Sequence, residues 1–447
     1  MWSYDKNEKK NYGDIGPIMS DLVKIPTVHG MPELYEIECY KNCLKKQFKS
    51  LFEQASLFPI GQALILKLEG GNPNLKPIMF DGHMDVVPAD EKEWLHGPFN
   101  GEIIDNEVWG RGTQDMKGPQ CALLAALNYL CQEGWKPGPD IYLYLSCDEE
   151  TGGETAKEAA AYFKEHMIQF QVIYDEGGTI CENFMGLIDG KAAMVAVGEK
   201  GSLVYRFTAK GSGGHGANPR PGTAIARIAA FICDVEDHSL FRKDMTPGVR
   251  SMLREMHNIC SDEGKKEKLL QASEALEDFT VLYELTEEAG SLLGATIAFT
   301  QIHGGTAFNV IPGEAELTAN VRVNMVQGKD EVTKILRGKA AQYDIECELV
   351  SGIDAARETA ADSTIYRNLK HCIETVFPGV PVIPFVLAGG TDSRHFQDVT
   401  EETIRFSPLY ASLRQSRGVH SVNESVFIEA LQEAAAFYQY FLSLYYS

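Results

Sequence analysis

Histidine and carboxylate side chains stand at the ends of three apolar runs in this chain of 447 residues. The runs are "KPIMFDGHMDVVP", "PDIYLYLSCDEETGGE" and "FQVIYDEGGT". If the acids meet at one place, their mutual repulsion is costly unless a cation neutralises it. Two divalent metal ions would do so. Together with one aspartate from "GRGTQDMKGP", the residues concerned are His83, Asp85, Asp115, Glu149, Glu150, Asp175 and Glu176.

Imidazole nitrogen mixed with carboxylate oxygen, without thiolate, favours zinc or a similar first-row ion in an open catalytic site. Such a site suits hydrolysis, because paired metal ions lower the pKa of bound water but leave its proton to a separate base. The adjacent acids Glu149 and Glu150 can divide the roles of base and ligand, since successive side chains at a strand end point in different directions. A single acidic strand end has a simpler explanation as a helix or turn cap, so the prediction depends on the whole set.

The elements that must position these residues are strands alternating with helices. The three apolar runs are typical of buried strands, and "KGPQCALLAALNYLCQEG" and "GETAKEAAAYFKEHM" between them have helical spacing. This alternation predicts an α/β fold with a mostly parallel sheet. Parallel sheets bind ligands beyond the carboxyl ends of their strands, which is where the acids lie.

A second domain is predicted from Lys200 onward, where longer strands are joined by Gly-rich turns. We expect residues 200–354 to form an inserted α/β lid and dimerisation domain, with a charged, mainly helical insertion at about 237–293. The earlier α/β style resumes with "PVIPFVLAGGTD". Residues 1–199 and 355–447 are therefore predicted to form one discontinuous catalytic, metal-binding domain.

Composition excludes several partners. The formal net charge of −22 disfavours nucleic acid and anionic lipid, since both require a basic face. No apolar segment approaches the ~18 residues needed to span a bilayer. The polar start "MWSYDKNEKKNYGD" lacks the apolar stretch of a secretory signal, so a cytoplasmic location is expected.

Seven motifs in this order resemble those of the M20 peptidase family of co-catalytic zinc hydrolases: "HMDVVP", "GRGTQDMKGP", "CDEETGG", "YDEGG", "FNVIPGEA", "GGTDSRHF" and "GVHSVNESV". The resemblance covers nearly the whole chain and is greatest to the branch of Gly-X carboxypeptidases and N-acyl-amino-acid hydrolases. It implies a zinc-exopeptidase-like sheet with helices on both faces. It also implies an amide hydrolase for small N-acyl amino acids or dipeptides with a free carboxylate.

The resemblance further assigns roles around two divalent ions, zinc or alternatively cobalt or manganese. His83 and Glu176 would bind the first ion, with Asp175 as the alternative to Glu176. Glu150 and His420 would bind the second, and Asp115 would bridge both. The carboxylate of Asp85 would orient the ring of His83, and Glu149 would be the general base and acid. The peptide bond between Asp115 and Met116 would be cis.

The lid and the motif "GGTDSRHF" would contact the substrate. The resemblance makes His215 an oxyanion-stabilising donor that acts in a partner subunit, and so implies a homodimer. It makes Asn309 and Arg322 ligands of the substrate backbone and carboxylate. Thr391 and Arg394 would also touch the substrate, whereas His395 would be a packing residue and not the late metal ligand.

Three alternatives stay open or are rejected on the residues. A literal G-x-G-x-x-G lies in "GSGGHGANP", but the prolines after it delay the helix that a dinucleotide site requires. An aminopeptidase would need an acidic pocket in place of the arginines. A catalytically silent relative that only binds its ligand would have lost a metal ligand or Glu149, and none is missing.

Overall fold

The computed structural model describes residues 12–28 and 35–445. In chain order its strands are β1 (Ser56–Ile60), β2 (Ala63–Leu68), β3 (Ile78–His83), β4 (Ile103–Ile104), β5 (Glu107–Trp109), β6 (Ile141–Ser146), β7 (Val172–Asp175), β8 (Ile180–Glu182), β9 (Lys191–Glu199), β10 (Gly201–Lys210), β11 (Gly214–His215), β12 (Thr296–Gly304), β13 (Val310–Ile311), β14 (Glu314–Val323), β15 (Ile345–Ile353), β16 (Val382–Leu387), β17 (Thr403–Arg405), β18 (Tyr410–Ala411) and β19 (Ser425–Phe427).

The α-helices alternate with the strands in the first and last parts of the chain. They are α1 (Ile15–Val23), α2 (Tyr35–Gln47), α3 (Lys49–Gln54), α4 (Lys117–Gln132), α5 (Glu154–Glu165), α6 (Ala224–Asp237), α7 (Pro247–Ile259), α8 (Glu263–Glu274), α9 (Thr280–Leu285), α10 (Ala289–Leu292), α11 (Lys329–Ala341), α12 (Thr364–Val376), α13 (Leu413–Gly418) and α14 (Ile428–Ser443). None of the helices in the described ranges is long and apolar enough to cross a bilayer.

Ten strands form the largest sheet, in the order β1-β2-β6-β3-β7-β17-β9-β8-β18, with β16 also paired to β9. The pairs β3–β6, β3–β7, β7–β17, β9–β16 and β8–β18 are parallel. All residues of β3 and β6 are buried, which is why their sequences are almost continuously apolar. The predicted α/β class with a mostly parallel sheet is confirmed.

Helices cover both faces of this sheet. Phe80 of β3 contacts Phe441 of α14, with ring centroids 6.3 Å apart. Phe80 is paired with Leu143 of β6, so the neighbouring Tyr142 points to the opposite face. Tyr142 contacts Phe163 of α5 there, at 5.8 Å.

A four-stranded antiparallel sheet, in the order β12-β14-β10-β15, forms a second layer with its own core. Its strands β12 and β14 form the antiparallel pair expected from their sequence. Helices α6 and α11 pack on β10, β14 and β15 and bury alternate side chains of the sheet. This is the unit that the sequence analysis predicted as a lid, although its exact boundaries stay a prediction.

The helical insertion packs elsewhere. Side chains of α7 to α10 share a third core with β9 and β16 of the large sheet, including Met252 and Leu253 with Met194 and Ile383. An amphipathic helix pattern indicates that a helix must bury one face but not which surface it will cover. The insertion therefore belongs by packing to the large sheet, although its chain enters and leaves through the lid.

Candidate metal centre

The carboxyl ends of three neighbouring parallel strands bring the first ligands together. His83 is the last residue of β3, and Glu149 and Glu150 begin a 3₁₀ turn after β6. Glu176 directly follows β7. Asp115 and His420 come from loops, before α4 and after α13 respectively.

Asp115 lies between two groups of side chains. One carboxylate oxygen, Oδ1, is 2.9 Å from Nε2 of His83, and the same nitrogen is 3.2 Å from Oε1 of Glu176. The other oxygen, Oδ2, is 3.0 Å from Nε2 of His420, which is 3.3 Å from Oε2 of Glu150. A carboxylate that gives one oxygen to each group has the geometry of a bridge between two metal ions.

The donor set fits two divalent ions. His83, Asp115 and Glu150 have ligand atoms within 4.8 Å of one another, as do His83, Glu149 and Glu176. Oε1 of Glu150 is buried without a hydrogen-bond partner among the described residues, so a ligand is required to satisfy it.

The pKa values show how closely the charges are crowded. Burial alone would raise the pKa of Asp115, but hydrogen bonds from His420 and His83 lower it well below its usual range. Hydrogen bonds to Asp115 and, next in size of effect, to Glu150 raise the pKa of His420 to about 10. Burial raises the pKa of Glu149 to about 9. Metal ions at this place would supply positive charge, so the acids could be ionised and the histidines would not need to be protonated to neutralise them.

Asp85 orients two parts of the site. Its backbone carbonyl is 2.9 Å from Nδ1 of His83, whereas its carboxylate Oδ1 is 3.6 Å from that nitrogen. The carboxylate accepts hydrogen bonds from the backbone N–H groups of Glu149 and Glu150, at 3.3 and 3.1 Å. The ring is thus aligned mainly by the carbonyl, and the side chain fixes the turn that carries the neighbouring acids.

The two open choices of ligand differ clearly in their surroundings. Asp175 is directed away from the cluster, because its Oδ2 accepts a hydrogen bond from Ser393 N at 3.1 Å. Glu176 is beside His83 instead. His395 has a buried Nε2 without a hydrogen-bond partner among the described residues, and burial lowers its pKa to about 4. His420, not His395, reaches Asp115.

The peptide bond between Asp115 and Met116 is cis, which confirms that prediction. Met116, where an acid could have stood, instead places its sulfur 3.1 Å from the backbone nitrogen of His83. It thus connects the loop of Asp115 to the end of β3.

Glu424 is a functional residue that the sequence reasoning missed. It is fully buried and accepts hydrogen bonds from the N–H groups of Gln114 and Asp115, at 2.7 and 3.3 Å. It also accepts one from Arg111 Nη1 at 2.7 Å. The signal was present, because Glu424 lies in the same motif as His420, "GVHSVNESV".

His215 and Asn309 meet at one tip of the lid. His215 pairs with Val310 of β13, and Gly216 N donates to the carbonyl of Asn309 at 2.8 Å. Nδ1 of His215 accepts a hydrogen bond from Ala217 N at 3.1 Å. Within the described part of the chain, these contacts all lie inside the lid, and His215 is exposed.

Two arginine side chains converge on residues 388–390, directly after β16, which we call the arginine segment. Arg322 Nη1 donates to Ala388 O at 3.3 Å, and the Arg394 guanidinium lies against Gly390, where an added Cβ would be 2.1 Å from Nη1. Nε of Arg394 is buried without a hydrogen-bond partner among the described residues. The backbone N–H of Lys200 donates to Leu387 O at 2.9 Å. The ammonium group of Lys200 donates to Ser291 O at 2.6 Å.

Thr391 is held inside the protein. Its backbone N–H donates to Oε2 of Glu199 at 2.9 Å, and its hydroxyl lies 2.8 Å from that of Ser393. Arg405 Nε donates to the same hydroxyl at 3.2 Å. Its hydroxyl is therefore engaged in a buried network beside the arginine segment.

The fold and the two groups of ligands sharing Asp115 define a metal-dependent hydrolase centre. The chain belongs to peptidase family M20/M25/M40, whose model matches residues 79–444. N-fatty-acyl-amino acid synthase/hydrolase PM20D1 of Homo sapiens is 29% identical over 384 residues, 83% of this chain and 75% of the relative. Probable carboxypeptidase S-like 2 of Dictyostelium discoideum is 30% identical over 394 residues, 85% and 74% of the two chains.

Solved structures show the same fold. The M20 family metallo-carboxypeptidase Sso-CP2 from Sulfolobus solfataricus has a TM-score of 0.70 at 18% identity, covering 97% of this chain and 99% of that one. The YXEP protein of Bacillus subtilis, a dinuclear metal binding peptidase, has a TM-score of 0.59 at 14% identity, covering 97% and 98%.

Proposed function

We propose that the protein is a two-metal hydrolase that cleaves the amide bond of small N-acyl amino acids or dipeptides with a free carboxylate. The division of the Asp115 oxygens between His83 and His420 carries this proposal. The names of the relatives, an N-fatty-acyl-amino acid hydrolase and a carboxypeptidase, support the substrate class.

The residues of the centre divide the work. His83 and Glu176 would hold one ion, and Glu150 and His420 would hold the other. Asp115 would bind both ions. We propose zinc as the metal, with cobalt or manganese as substitutes. The ions would polarise the scissile carbonyl and lower the pKa of water. Glu149 accepts the proton of the attacking water and then donates it to the leaving amine. The carboxylate of Asp85 keeps Glu149 in place by accepting a hydrogen bond from the backbone N–H of Glu149.

The arginine segment is the proposed carboxylate site. Arg322 and Arg394 offer charge-assisted hydrogen bonds at the junction of lid and catalytic domain. Thr391, which is held beside this segment by its backbone bond to Glu199, stays the predicted third substrate contact. The exposed His215 and Asn309 are proposed to contact the substrate from the lid.

We expect turnover to require metal and a substrate carboxylate. Chelation should reduce activity to background, and zinc, cobalt or manganese should restore it. Amidating the carboxylate of an N-acetyl amino acid should lower kcat/KM by about 10- to 100-fold, as expected when hydrogen bonds to charged groups are lost. The measurement is a panel of N-acyl amino acids, Gly-X dipeptides and their amides, assayed with each metal.

Two outcomes of this panel would contradict the proposal. Preference for amino acid amides with a free amine and no carboxylate would indicate an aminopeptidase. Stoichiometric metal with ligand binding but no turnover of any member would indicate a binding protein.

We also propose a homodimer in which His215 of one subunit serves the site of the other. Phe308 and Val310, beside His215, are fully and half exposed, and a partner would cover them. Mixing inactive Glu149→Ala and His215→Ala subunits should restore partial activity, because one site of each heterodimer keeps both residues. Homodimers of each variant are the controls. Absence of recovery after demonstrated subunit exchange, or a fully active monomer, would disprove the shared site.

A further inference from the structure

Two cavities lie side by side next to the metal centre. The first, the active-site cavity, has a volume of about 350 Å³. Asp115 and Glu176 belong to its lining, so a group attached to the reacting carbonyl carbon can enter here. The rest of the lining is mostly apolar and includes Met194, Phe385 and Leu409.

The second, the insertion cavity, has a volume of about 220 Å³ and lies between β16 and the helices of the insertion. Val249 and Met252 of α7 and Leu292 of α10 form its helical wall. Val386 of β16 and Met185 also line it, together with the charged residues Lys200 and Glu288. The insertion therefore encloses a mostly apolar space on the large sheet.

One layer of side chains separates the two cavities. Phe184, Phe385 and Leu387 line both. The rings of Phe184 and Phe385 meet edge to face, with centroids 5.8 Å apart and an interplanar angle of 64°. Phe385 is buried in β16, whereas Phe184 is only partly buried and lies on the short turn Phe184–Gly186. Phe184 is thus the less constrained of the two rings in the wall that the cavities share.

We propose that the insertion cavity receives the distal part of a long apolar acyl chain whose carbonyl is at the metal centre. This inference rests on the proposed function, which places the opposite, carboxylate end of the substrate at Arg322 and Arg394. A short acyl group stays within the active-site cavity. A longer chain displaces Phe184 and then contacts Val249 and Met252, so the insertion sets the preferred acyl length.

The expected result is a chain-length dependence that α7 controls. Within a series of N-acyl alanines from acetyl to palmitoyl, each methylene buried beyond the Phe184 layer should raise kcat/KM about fourfold, the equivalent of about 0.8 kcal/mol. Met252→Trp fills the insertion cavity and should lower the palmitoyl-to-acetyl ratio of kcat/KM by at least about 10-fold. Val249→Phe should lower the same ratio, and it keeps the test possible if Met252→Trp does not fold.

The matched control is Arg254→Trp, on an exposed position of the same helix, which should keep the wild-type ratio. Thermal unfolding and metal content of each variant show whether the fold is intact. Unchanged palmitoyl-to-acetyl ratios in both folded cavity variants would overturn the inference. The inference would also be overturned if the loss of kcat/KM in the cavity variants depended on the size of the substrate's amino-acid side chain and not on the length of its acyl chain. Failure of wild-type protein to hydrolyse any member of the series would count against the proposed function itself, not against the cavity assignment.

Discussion

Glu149→Gln should lower kcat by at least about 10²–10⁴-fold, because glutamine cannot accept the proton of water or return it to the leaving amine. The fold should survive the change. Burial raises the pKa of Glu149 to about 9, so the fold already tolerates a neutral side chain at this position. Steady-state kinetics and metal analysis of the purified variant are the measurements, with both metal ions and substrate affinity expected to be retained.

The neighbouring acid supplies the matched control. Glu150→Gln removes an oxygen that lies 3.3 Å from Nε2 of His420, so it should lose one metal ion as well as activity. If Glu149→Gln loses a metal ion and Glu150→Gln does not, the two glutamates have exchanged the roles proposed for them.

Glu424→Gln should destabilise the metal-free protein by about 3–5 kcal/mol, because it leaves Arg111 buried without its carboxylate partner. Both side chains of this pair are almost wholly inaccessible to solvent, so water cannot take over. The variant should also bind zinc about 10- to 100-fold more weakly, since Glu424 holds the backbone of Asp115 in place. Urea unfolding and zinc titration measure the two effects separately.

Two further variants sharpen this test. Glu102→Gln breaks the solvent-accessible pair with the partly buried His96 and should leave the stability nearly unchanged. Combining Arg111→Met with Glu424→Gln removes both buried charges and should recover much of the stability without restoring zinc affinity. A Glu424→Gln variant with normal stability and normal zinc affinity would refute the assignment.

The sequence allowed the parts of the site on strands to be derived from physical rules. His83, Glu149 and Glu176 follow buried parallel strands, and the carboxyl ends of such strands must meet at one edge. Asp115 and His420 come from loops, whose paths no periodicity specifies, so only the motif order connected them to the rest. The motif of His420 contained Glu424 as well, but its role could not be derived from the pattern, because its partners include backbone N–H groups that nearly every residue possesses.

Packing partners were the least predictable part of the fold. The helices of the insertion were recognised from sequence, but not their position against β9 and β16. Asp85 illustrates the same limit on a smaller scale. Its carboxylate was predicted to orient the His83 ring, but the backbone carbonyl is the nearer group, because the 3₁₀ turn of Glu149 and Glu150 engages the carboxylate.

The packing of the insertion also limits how the lid can move. The lid joins the large sheet directly at Gly201 and near Ala355, and an added Cβ at Gly201 would lie 2.6 Å from Ala355 N, so these two links touch. A domain attached only through these two links could rotate about a single hinge axis. The chain, however, leaves the lid again after α6 and returns through the short link from α10 to β12, while α7 to α10 are fixed on the sheet. Lys200 adds a 2.6 Å hydrogen bond to Ser291 O beside that return. A large rotation would have to stretch these extra connections, so we expect the lid to move relative to the large sheet only with small amplitude.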